Sequence, residues 1–305
     1  MPKSVRTSSP VRAQDPAIIA HEGEYFLFHS AAGVAIKRSS DLMTWRDAGN
    51  VFARRPAWIA ERVEGVTELS APDVAVLGGK LHVYYSAATP GTNRACIGHA
   101  TSDAPTRPFT DRGPVICSNA VRDADNWNAV DPQVVQDDAT GKAYLVFGSY
   151  WSGIKLIELD ASGARAGDSL IALAARAKAG NAVSAPFIVR RCDAYYLFVA
   201  FDRCCDGVNS DSRVVVGRSA VVTGPYLDRS GVPLLDGGGT PFVQADDTWK
   251  GPGQSVILAA GEKTYELHHA YFAGAASWQM ERGAAYLRIS ELSWDADGWP
   301  VSAGP

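Results

Sequence analysis

Apolar runs along this chain are short, and they recur at nearly even spacing. Five times, a small or acidic residue and a proline stand at the head of a mostly apolar run. The five prolines are Pro16, Pro72, Pro132, Pro186 and Pro252, which gives steps of 56, 60, 54 and 66 residues. Repetition at a fixed spacing is typical of an architecture built from one repeated supersecondary unit.

A polar turn and a second run, rich in aromatic residues, follow each opening. These second runs cover residues 25–29, 81–86, 143–148, 195–199 and 264–269. A third run follows at 34–39 and at 214–219, and helical periodicity is confined to residues 172–179. Five units of about four strands each predict an all-β fold, a five-bladed β-propeller. We expect one domain over residues 1–305, with residues 1–12 as an N-terminal tail.

The blade openings are the predicted location of the chemistry. The first strand of each propeller blade lines the central channel, so side chains at the five openings should converge near the axis. Asp15 and Asp131 occupy equivalent openings, and Asp73 follows Pro72 directly. Asp before Pro is also a common turn former. Two carboxylates at equivalent positions of one funnel nevertheless favour a functional role, and paired carboxylates are the reacting groups of glycoside hydrolysis.

Charge and composition narrow the class of partner. The 305 residues carry a formal net charge of −4, and 46% of them are hydrophobic. This balance gives no electrostatic reason to expect nucleic acid or an anionic membrane, whereas a neutral polysaccharide suits it. Residues 1–10 contain no apolar core of a signal peptide, so we expect either a cytoplasmic chain or a mature form whose signal peptide was removed.

The cysteines leave one local question open. Cys96, Cys117, Cys192, Cys204 and Cys205 are odd in number and lack the paired spacing of a zinc site. Cys204 and Cys205 are adjacent, which allows a disulfide between neighbours. Adjacent side chains in a regular strand point to opposite faces, which opposes one.

Three long segments carry a family resemblance. They are Asn-Ala-Val-Asp-Pro at 128–132, Phe-Gly-Ser-Tyr-Trp-Ser-Gly-Ile-Lys-Leu-Ile-Glu-Leu-Asp at 147–160, and Phe-Asp-Arg-Cys-Cys-Asp-Gly-Val-Asn at 201–209. Over nearly its whole length the chain resembles the arabinanases of glycoside hydrolase family 43. The resemblance implies hydrolysis of α-1,5-linked arabinan with inversion, by a secreted or periplasmic protein that we expect to be a monomer.

The resemblance also implies three acidic roles. Asp15 matches the general base and Asp131 matches the carboxyl that tunes and orients the general acid. The position of the acid itself, a Glu in the family, is Ser184 here. A serine hydroxyl is too weak an acid to protonate a leaving sugar oxygen, and losing general acid catalysis typically costs about 10²–10⁴-fold in rate.

Other funnel positions also depart from the family. Gln14 and Gln254 replace histidines, and Ser70 replaces a tryptophan. Several changes in one funnel are more typical of natural divergence than of a single engineered substitution. Glu68 is a substitute acid if it shares the funnel-facing side of its strand with Ser70, two residues on. The alternative is an exposed loop residue.

We expect substrate contacts from a set of polar and aromatic funnel residues, since aromatic faces stack on sugar rings. They are Gln14, Ser70, Asp73, Asn93, Asn128, Ser149, Tyr150 and Trp151.

His269 matches an axial histidine of the family that lies beside a hydrated calcium or similar cation. One imidazole is an unusual ligand set for a hard cation, so waters and carbonyls would have to hold most of it. The alternative is a core histidine bonded to the backbone.

The sequence therefore supports two functions of different classes. One is a hydrolase of arabinan or arabino-oligosaccharides that lacks its usual acid. The other is a carbohydrate-binding propeller that holds the same sugar without cleaving it.

Overall fold

The computed structural model describes residues 2–118 and 126–305, and its strands form five antiparallel sheets around a central channel. The predicted five-bladed propeller is confirmed. Blade one contains β1 (Ala17–His21), β2 (Glu24–His29), β3 (Ala35–Ser39) and β4 (Arg46–Asn50). Blade two contains β5 (Leu69–Leu77), β6 (Lys80–Ala88), β7 (Ala95–Ser102) and β8 (Thr110–Cys117). Blade three contains β9 (Gln133–Asp137), β10 (Lys142–Phe147), β11 (Ile154–Leu159) and β12 (Ile171–Ala174). Blade four contains β13 (Val183–Arg191), β14 (Ala194–Phe201), β15 (Arg213–Ser219) and β16 (Thr240–Val243).

Blade five is completed by the N-terminal segment. Its own strands are β17 (Trp249–Ala260), β18 (Lys263–Phe272) and β19 (Ala285–Glu291), and the short pair β20 (Ser293–Trp294) and β21 (Pro300–Val301) follows. Residues 3–12, which we expected to form a tail, run along the free edge of β19. The amides of Val5 and Leu287 donate to Ile289 and Val11 over 2.8 and 2.9 Å. The first residues of the chain thus hold the last blade, which closes the ring.

The hydrophobic core lies between the blades. Five clusters of buried side chains each join two neighbouring blades. Phe28 and Tyr85 join blades one and two, for example, and Trp299 lies with Phe198 between blades four and five. Because the inner strands of each blade are buried on both faces, polar and apolar residues alternate only weakly along them, as in β14.

Helical structure is small in the described residues. It consists of α1 (Ala57–Arg62) and 3₁₀ turns at Ala177–Ala179, Gly207–Asn209 and Leu234–Asp236. The predicted helical segment 172–179 is wrong for its first half, since Ile171–Ala174 forms β12 against β11. Strand pairing has outweighed the helix propensity of alanine there. No helix in this part of the chain approaches the length and apolarity that crossing a bilayer would require.

Each blade opens on a residue in the left-handed backbone region. The residue before the opening proline has φ of 51° at Asp15, 44° at Ala71, 55° at Asp131, 50° at Ala185 and 55° at Gly251. Proline lacks an N–H, so it cannot donate to the strand ladder. The register of β5 accordingly shifts between Ser70 and Asp73, and that of β13 between Ser184 and Phe187. These irregularities turn the opening side chains toward the channel.

Two disulfides are present among the described residues. Cys96 and Cys117 face each other on β7 and β8 and are joined with an S–S distance of 2.00 Å. Cys204 is joined to its neighbour Cys205, so the pairing that the sequence left open is formed. Cys205 has φ of 69°, outside the strand conformation that would separate the two side chains. Cys192 is a free, exposed cysteine.

Candidate active site

A cavity of about 200 Å³ lies on the axis, and residues from all five blades line it. Its lining includes Gln14, Asp15, Glu68, Ser70, Asp131, Ser184, Ala185, Ala200, Cys204, Cys205, Gly253, Gln254 and His269. A second cavity of about 700 Å³ adjoins it on the side of blades two to four. The two cavities share Ser70, Asp131, Ser184, Cys204 and Cys205. They therefore form one funnel with a narrow centre and a wider arm.

Asp15 is held by contacts on both its backbone and its carboxylate. Ser30, just after β2, donates its hydroxyl to Oδ2 of Asp15 over 2.6 Å. The amide of Asp15 donates to Nδ1 of His269 in blade five over 3.1 Å. The carboxylate is 15% exposed, which leaves one face open to the funnel.

Asp131 is tied to the blade that carries position 184. Its Oδ2 accepts a hydrogen bond from the amide of Ala185 over 3.0 Å, and its own amide donates to Ser86 over 2.9 Å. Burial, followed by the negative charge of Asp15, raises the pKa of Asp131 to about 7. The carboxyl of Asp131, with its pKa near 7, is thus hydrogen-bonded to the residue that follows Ser184.

The same kind of contact links consecutive blades around the axis. Ser30 Oγ, which binds Asp15, also accepts the amide of Ala71 over 3.0 Å. In the same way, Ser86 accepts the amide of Asp131, and His269 accepts the amide of Asp15. Three of the five left-handed openings, at Asp15, Ala71 and Asp131, are therefore fixed by side chains at or just after the second strand of the preceding blade.

Ser184 lies on the wall of both cavities and is 5% exposed. It is the second residue of β13 and pairs with Ala200 of β14. Its short side chain leaves space where a longer acidic side chain would reach into the funnel.

Glu68 also lines the cavity, and a substitute acid would have to lie there. It is an exposed residue overall, but its carboxyl lies at the cavity wall, where partial burial and then the charge of Asp15 raise its pKa. A carboxyl of this kind keeps its proton to higher pH than an ordinary glutamate.

His269 does not fit a direct cation ligand. An amide N–H can only donate, so Nδ1, which accepts from Asp15, must carry a lone pair. Burial lowers the pKa of His269, although the charge of Asp15 opposes this. With Nδ1 accepting from Asp15, the ring proton is on Nε2. Nε2 has no hydrogen-bond partner among the described residues, and these residues contain no cluster of three or more metal-ligating side chains. A protonated nitrogen cannot ligate a metal, so we derive no catalytic step from a cation.

Most of the predicted substrate-binding residues line the funnel. Gln14 belongs to the small cavity and Ser70 to both, while Asn128, Ser149, Tyr150 and Trp151 line the wider arm. The side-chain amide of Asn128 donates to Ser149 over 2.9 Å.

Two predicted contacts lie elsewhere. The carboxylate of Asp73 accepts the amide of Val134 over 2.8 Å, and burial raises its pKa to about 7. It joins blades two and three and is not part of the cavity lining. Asn93 donates its side-chain amide to Asn126 over 2.6 Å, on the loop beside the wider arm.

Sequence reasoning missed three contributors to the site. Cys204 and Cys205 were considered only as a disulfide, although both line the funnel. Ser30 was not singled out, although it fixes the Asp15 carboxylate. The signal in the sequence was its position: Ser30, Ser86 and His269 each lie five residues after the first residue of an aromatic run.

Comparison with known proteins agrees with this geometry. The family model "Glycosyl hydrolases family 43" matches residues 8–300. An extracellular endo-α-(1→5)-L-arabinanase of Bacillus subtilis is 37% identical over 94% of this chain and 86% of its own length. An extracellular exo-α-(1→5)-L-arabinofuranosidase of Cellvibrio japonicus is 35% identical over 95% of this chain and 86% of its own length.

Solved structures give the same result. A Cellvibrio cellulosa α-L-arabinanase in complex with arabinohexaose superposes with a TM-score of 0.87 at 31% identity, and the match covers 96% of each chain. The blades, the funnel carboxylates and these likenesses agree, and the chain belongs to glycoside hydrolase family 43.

Proposed function

We propose that this chain binds α-1,5-linked arabino-oligosaccharides in the funnel and hydrolyses them slowly, with inversion. The observation that carries the proposal is the meeting of Asp15, Asp131 and position 184 in one axial cavity. Carboxyl groups on opposite sides of a bound sugar are the arrangement that glycoside hydrolysis requires.

Asp15 is the general base. Its carboxylate removes a proton from a water molecule as the water oxygen attacks the anomeric carbon. The bond from that carbon to the leaving oxygen then breaks on the opposite face of the ring, and the configuration inverts. The hydrogen bond from Ser30 holds the carboxylate in one orientation, which lowers the entropic cost of reaching the transition state.

The acid half of the reaction is impaired. Inverting enzymes keep the acid about 6.5–9.5 Å from the base, and this position belongs to Ser184. A hydroxyl there cannot donate a proton to the departing sugar oxygen at a useful rate. Asp131 is bound to the adjacent amide of Ala185 and therefore orients an acid side chain that this sequence lacks.

Besides Asp15 and Asp131, Glu68 is the carboxyl that lines the small cavity. Because its pKa is raised, it keeps its proton to higher pH than an ordinary glutamate and can donate it to the leaving oxygen. Glu68 enters from blade two rather than blade four, so we expect a poorer alignment with the scissile bond than position 184 would give.

The substrate class is supported by the relatives and by the lining. The Bacillus relative is named an arabinanase, and the Cellvibrio structure contains arabinohexaose. Tyr150 and Trp151 provide aromatic faces in the wider arm, where successive sugar rings can stack. Both curated relatives are named extracellular, which supports a secreted protein.

A second function is favoured by Ser184. Without an acid, the same funnel serves as a carbohydrate-binding propeller that holds an arabinoside and does not cleave it. The two functions share the ligand and differ only in turnover.

The test measures binding and turnover separately. Binding of arabinohexaose is measured by calorimetry, and release of reducing ends is followed with linear α-1,5-arabinan over hours at high enzyme concentration. We expect binding together with slow release that Asp15→Asn abolishes. Binding with no release above the Asp15→Asn background would establish the binding function, and absence of binding would exclude both.

A further inference from the structure

The disulfide between Cys204 and Cys205 lies where the two halves of the funnel meet. Both cysteines line the small cavity with Asp15 and Asp131, and both line the wider arm with Trp151. Cys204 is half-buried and Cys205 is exposed, so the sulfur surface faces the space that a ligand would fill. A ligand that passes from the wider arm to the catalytic carboxylates must pass along this surface.

The small cavity otherwise lacks an apolar surface of useful size. The other side chains shared by the two cavities are those of Ser70, Asp131 and Ser184, which are all polar. Ala185, Ala200 and Gly253 are small, the ring of His269 is bound to Asp15, and the aromatic rings of Tyr150 and Trp151 belong to the wider arm alone. A pentose ring presents carbon-bound hydrogens as well as hydroxyls, and those hydrogens need a polarisable, apolar partner. Bonded sulfur is such a partner.

The loop that carries the disulfide is anchored on both sides. Asp202 accepts ion pairs from Arg176 and Arg213 at the start of the loop. At its end, the amide of Asp206 donates to Ser210 over 3.0 Å and that of Arg203 to Asp211 over 2.7 Å. A surface that is already ordered binds a ligand without the entropic cost of immobilising side chains.

We propose that the Cys204–Cys205 disulfide is the apolar wall against which the sugar ring at the catalytic carboxylates packs. The inference rests on the proposed arabinoside function and assigns a specificity-determining role within that site. In this sequence the disulfide is the apolar contact at the centre of the funnel, since Ser70, on the facing blade, is too small to provide one.

The other cysteines provide the control. Cys96–Cys117 joins two strands within blade two and is not part of either cavity lining, so its role is structural. Cys192 lies in the turn between β13 and β14, at the opposite end of β13 from Ser184, and is free and exposed. A change at Cys192 alters the number of thiols without touching the funnel.

The experiment compares arabinohexaose binding to the full chain, to the double variant Cys204→Ala/Cys205→Ala and to Cys192→Ala. We expect the Kd of the double variant to rise about tenfold, which corresponds to about 1.4 kcal/mol. We expect Cys192→Ala to bind as the parent does. Equal affinity in the parent and in a folded double variant would overturn the proposal.

A second arm tests the unmodified chain, in case the double variant does not fold. Treatment with a water-soluble phosphine transfers two electrons to the disulfide; water supplies the two protons of the thiols and the oxygen of the phosphine oxide. Mass spectrometry of alkylated peptides identifies conditions in which 204–205 is open and Cys96–Cys117 is intact. We expect the affinity to fall as the thiols appear and to return on reoxidation, and unchanged affinity would overturn the proposal. If the parent binds no arabinohexaose, the proposed function fails first, and the inference fails with it.

Discussion

The amide of Asp15 donates a hydrogen bond to Nδ1 of His269, and this contact joins the first blade to the fifth at the axis. It orients the residue that we assign as the base and fixes the proton of the imidazole on Nε2. His269 therefore acts as a positioning group at the ring closure. The sequence alone left open both a core histidine and a cation ligand.

We expect calcium to leave the stability of this protein unchanged. A ligand present at 100 times its Kd raises the free energy of unfolding by about 2.7 kcal/mol, which would be visible as a higher Tm. The Tm should be the same within about 1 °C in millimolar calcium and in EDTA, since 1 kcal/mol already shifts Tm by about 2–4 °C in a large domain. A calcium-dependent rise in Tm that His269→Gln removes would contradict the assignment.

Restoring the acid should restore the enzyme. In Ser184→Glu, a carboxyl next to Asp131 can protonate the leaving oxygen, so we expect arabinan hydrolysis to rise by about 10²-fold or more. Ser184→Gln is the matched control, because glutamine has the shape of glutamate but no acidic proton to transfer. Reducing-end release measures both variants, and equal rates in the two would show that acid catalysis is not what limits this chain.

The identity of the leaving group should decide how much the missing acid matters. A nitrophenolate departs with little protonation, so a nitrophenyl arabinoside that fits the pocket should react far closer to ordinary enzyme rates than arabinan does. We expect Asp15→Asn to slow both substrates, since both need an activated water. Equal impairment of the two substrates in the parent would mean that water activation, rather than leaving-group departure, is defective.

Glu68→Gln tests the remaining carboxyl. If Glu68 supplies the proton, the variant should lower the slow arabinan rate by about 10²-fold or more and leave nitrophenyl arabinoside hydrolysis nearly unchanged. Because burial and the charge of Asp15 raise the pKa of Glu68, the parent rate should fall at a higher pH than an ordinary glutamate would give. Glu64→Gln, a change on the neighbouring loop outside the cavity lining, is the control. An unchanged pH profile in Glu68→Gln would exclude this residue as the acid.

Stability should fall as the pH rises from about 4 to about 7, and Asp131 should account for part of the fall. Its pKa is raised from 3.8 to about 7, so the folded state holds a proton that the unfolded chain has already released. The contribution is fully present below about pH 4 and is lost as the pH rises to about 7, at up to about 1.4 kcal/mol per pH unit. Urea unfolding at several pH values should give a smaller slope for Asp131→Asn than for the parent.

Asp73, whose pKa is also raised to about 7, should contribute to the same slope. The exposed Asp247 provides the control, since Asp247→Asn should reproduce the slope of the parent. If Asp131→Asn does the same, then the carboxyl of Asp131 titrates normally in the folded protein.

The repeated prolines were sufficient to predict the blades, because each lies at or within four residues of the start of the strand that lines the channel. They could not predict the direction of Asp73. Pro72 indicates that the strand ladder is interrupted, but it does not indicate which way the next side chain turns, and the carboxylate of Asp73 turns to Val134 of the next blade. The N-terminal pairing with β19 was missed for a related reason. An edge strand with only a few bonds leaves no alternating pattern to recognise, as at Val5 and Val11.

The left-handed blade openings have a consequence for how such a site changes over time. For a residue with a Cβ, this conformation costs about 1–2 kcal/mol, and Asp tolerates it better than Ala does. Alanine nevertheless occupies it at Ala71 and Ala185, as Asp does at Asp15 and Asp131, so the same backbone accepts either residue. Side chains near the axis can therefore be replaced one at a time while the backbone stays the same. A chain with serine at position 184 is one residue substitution away from a proton donor there.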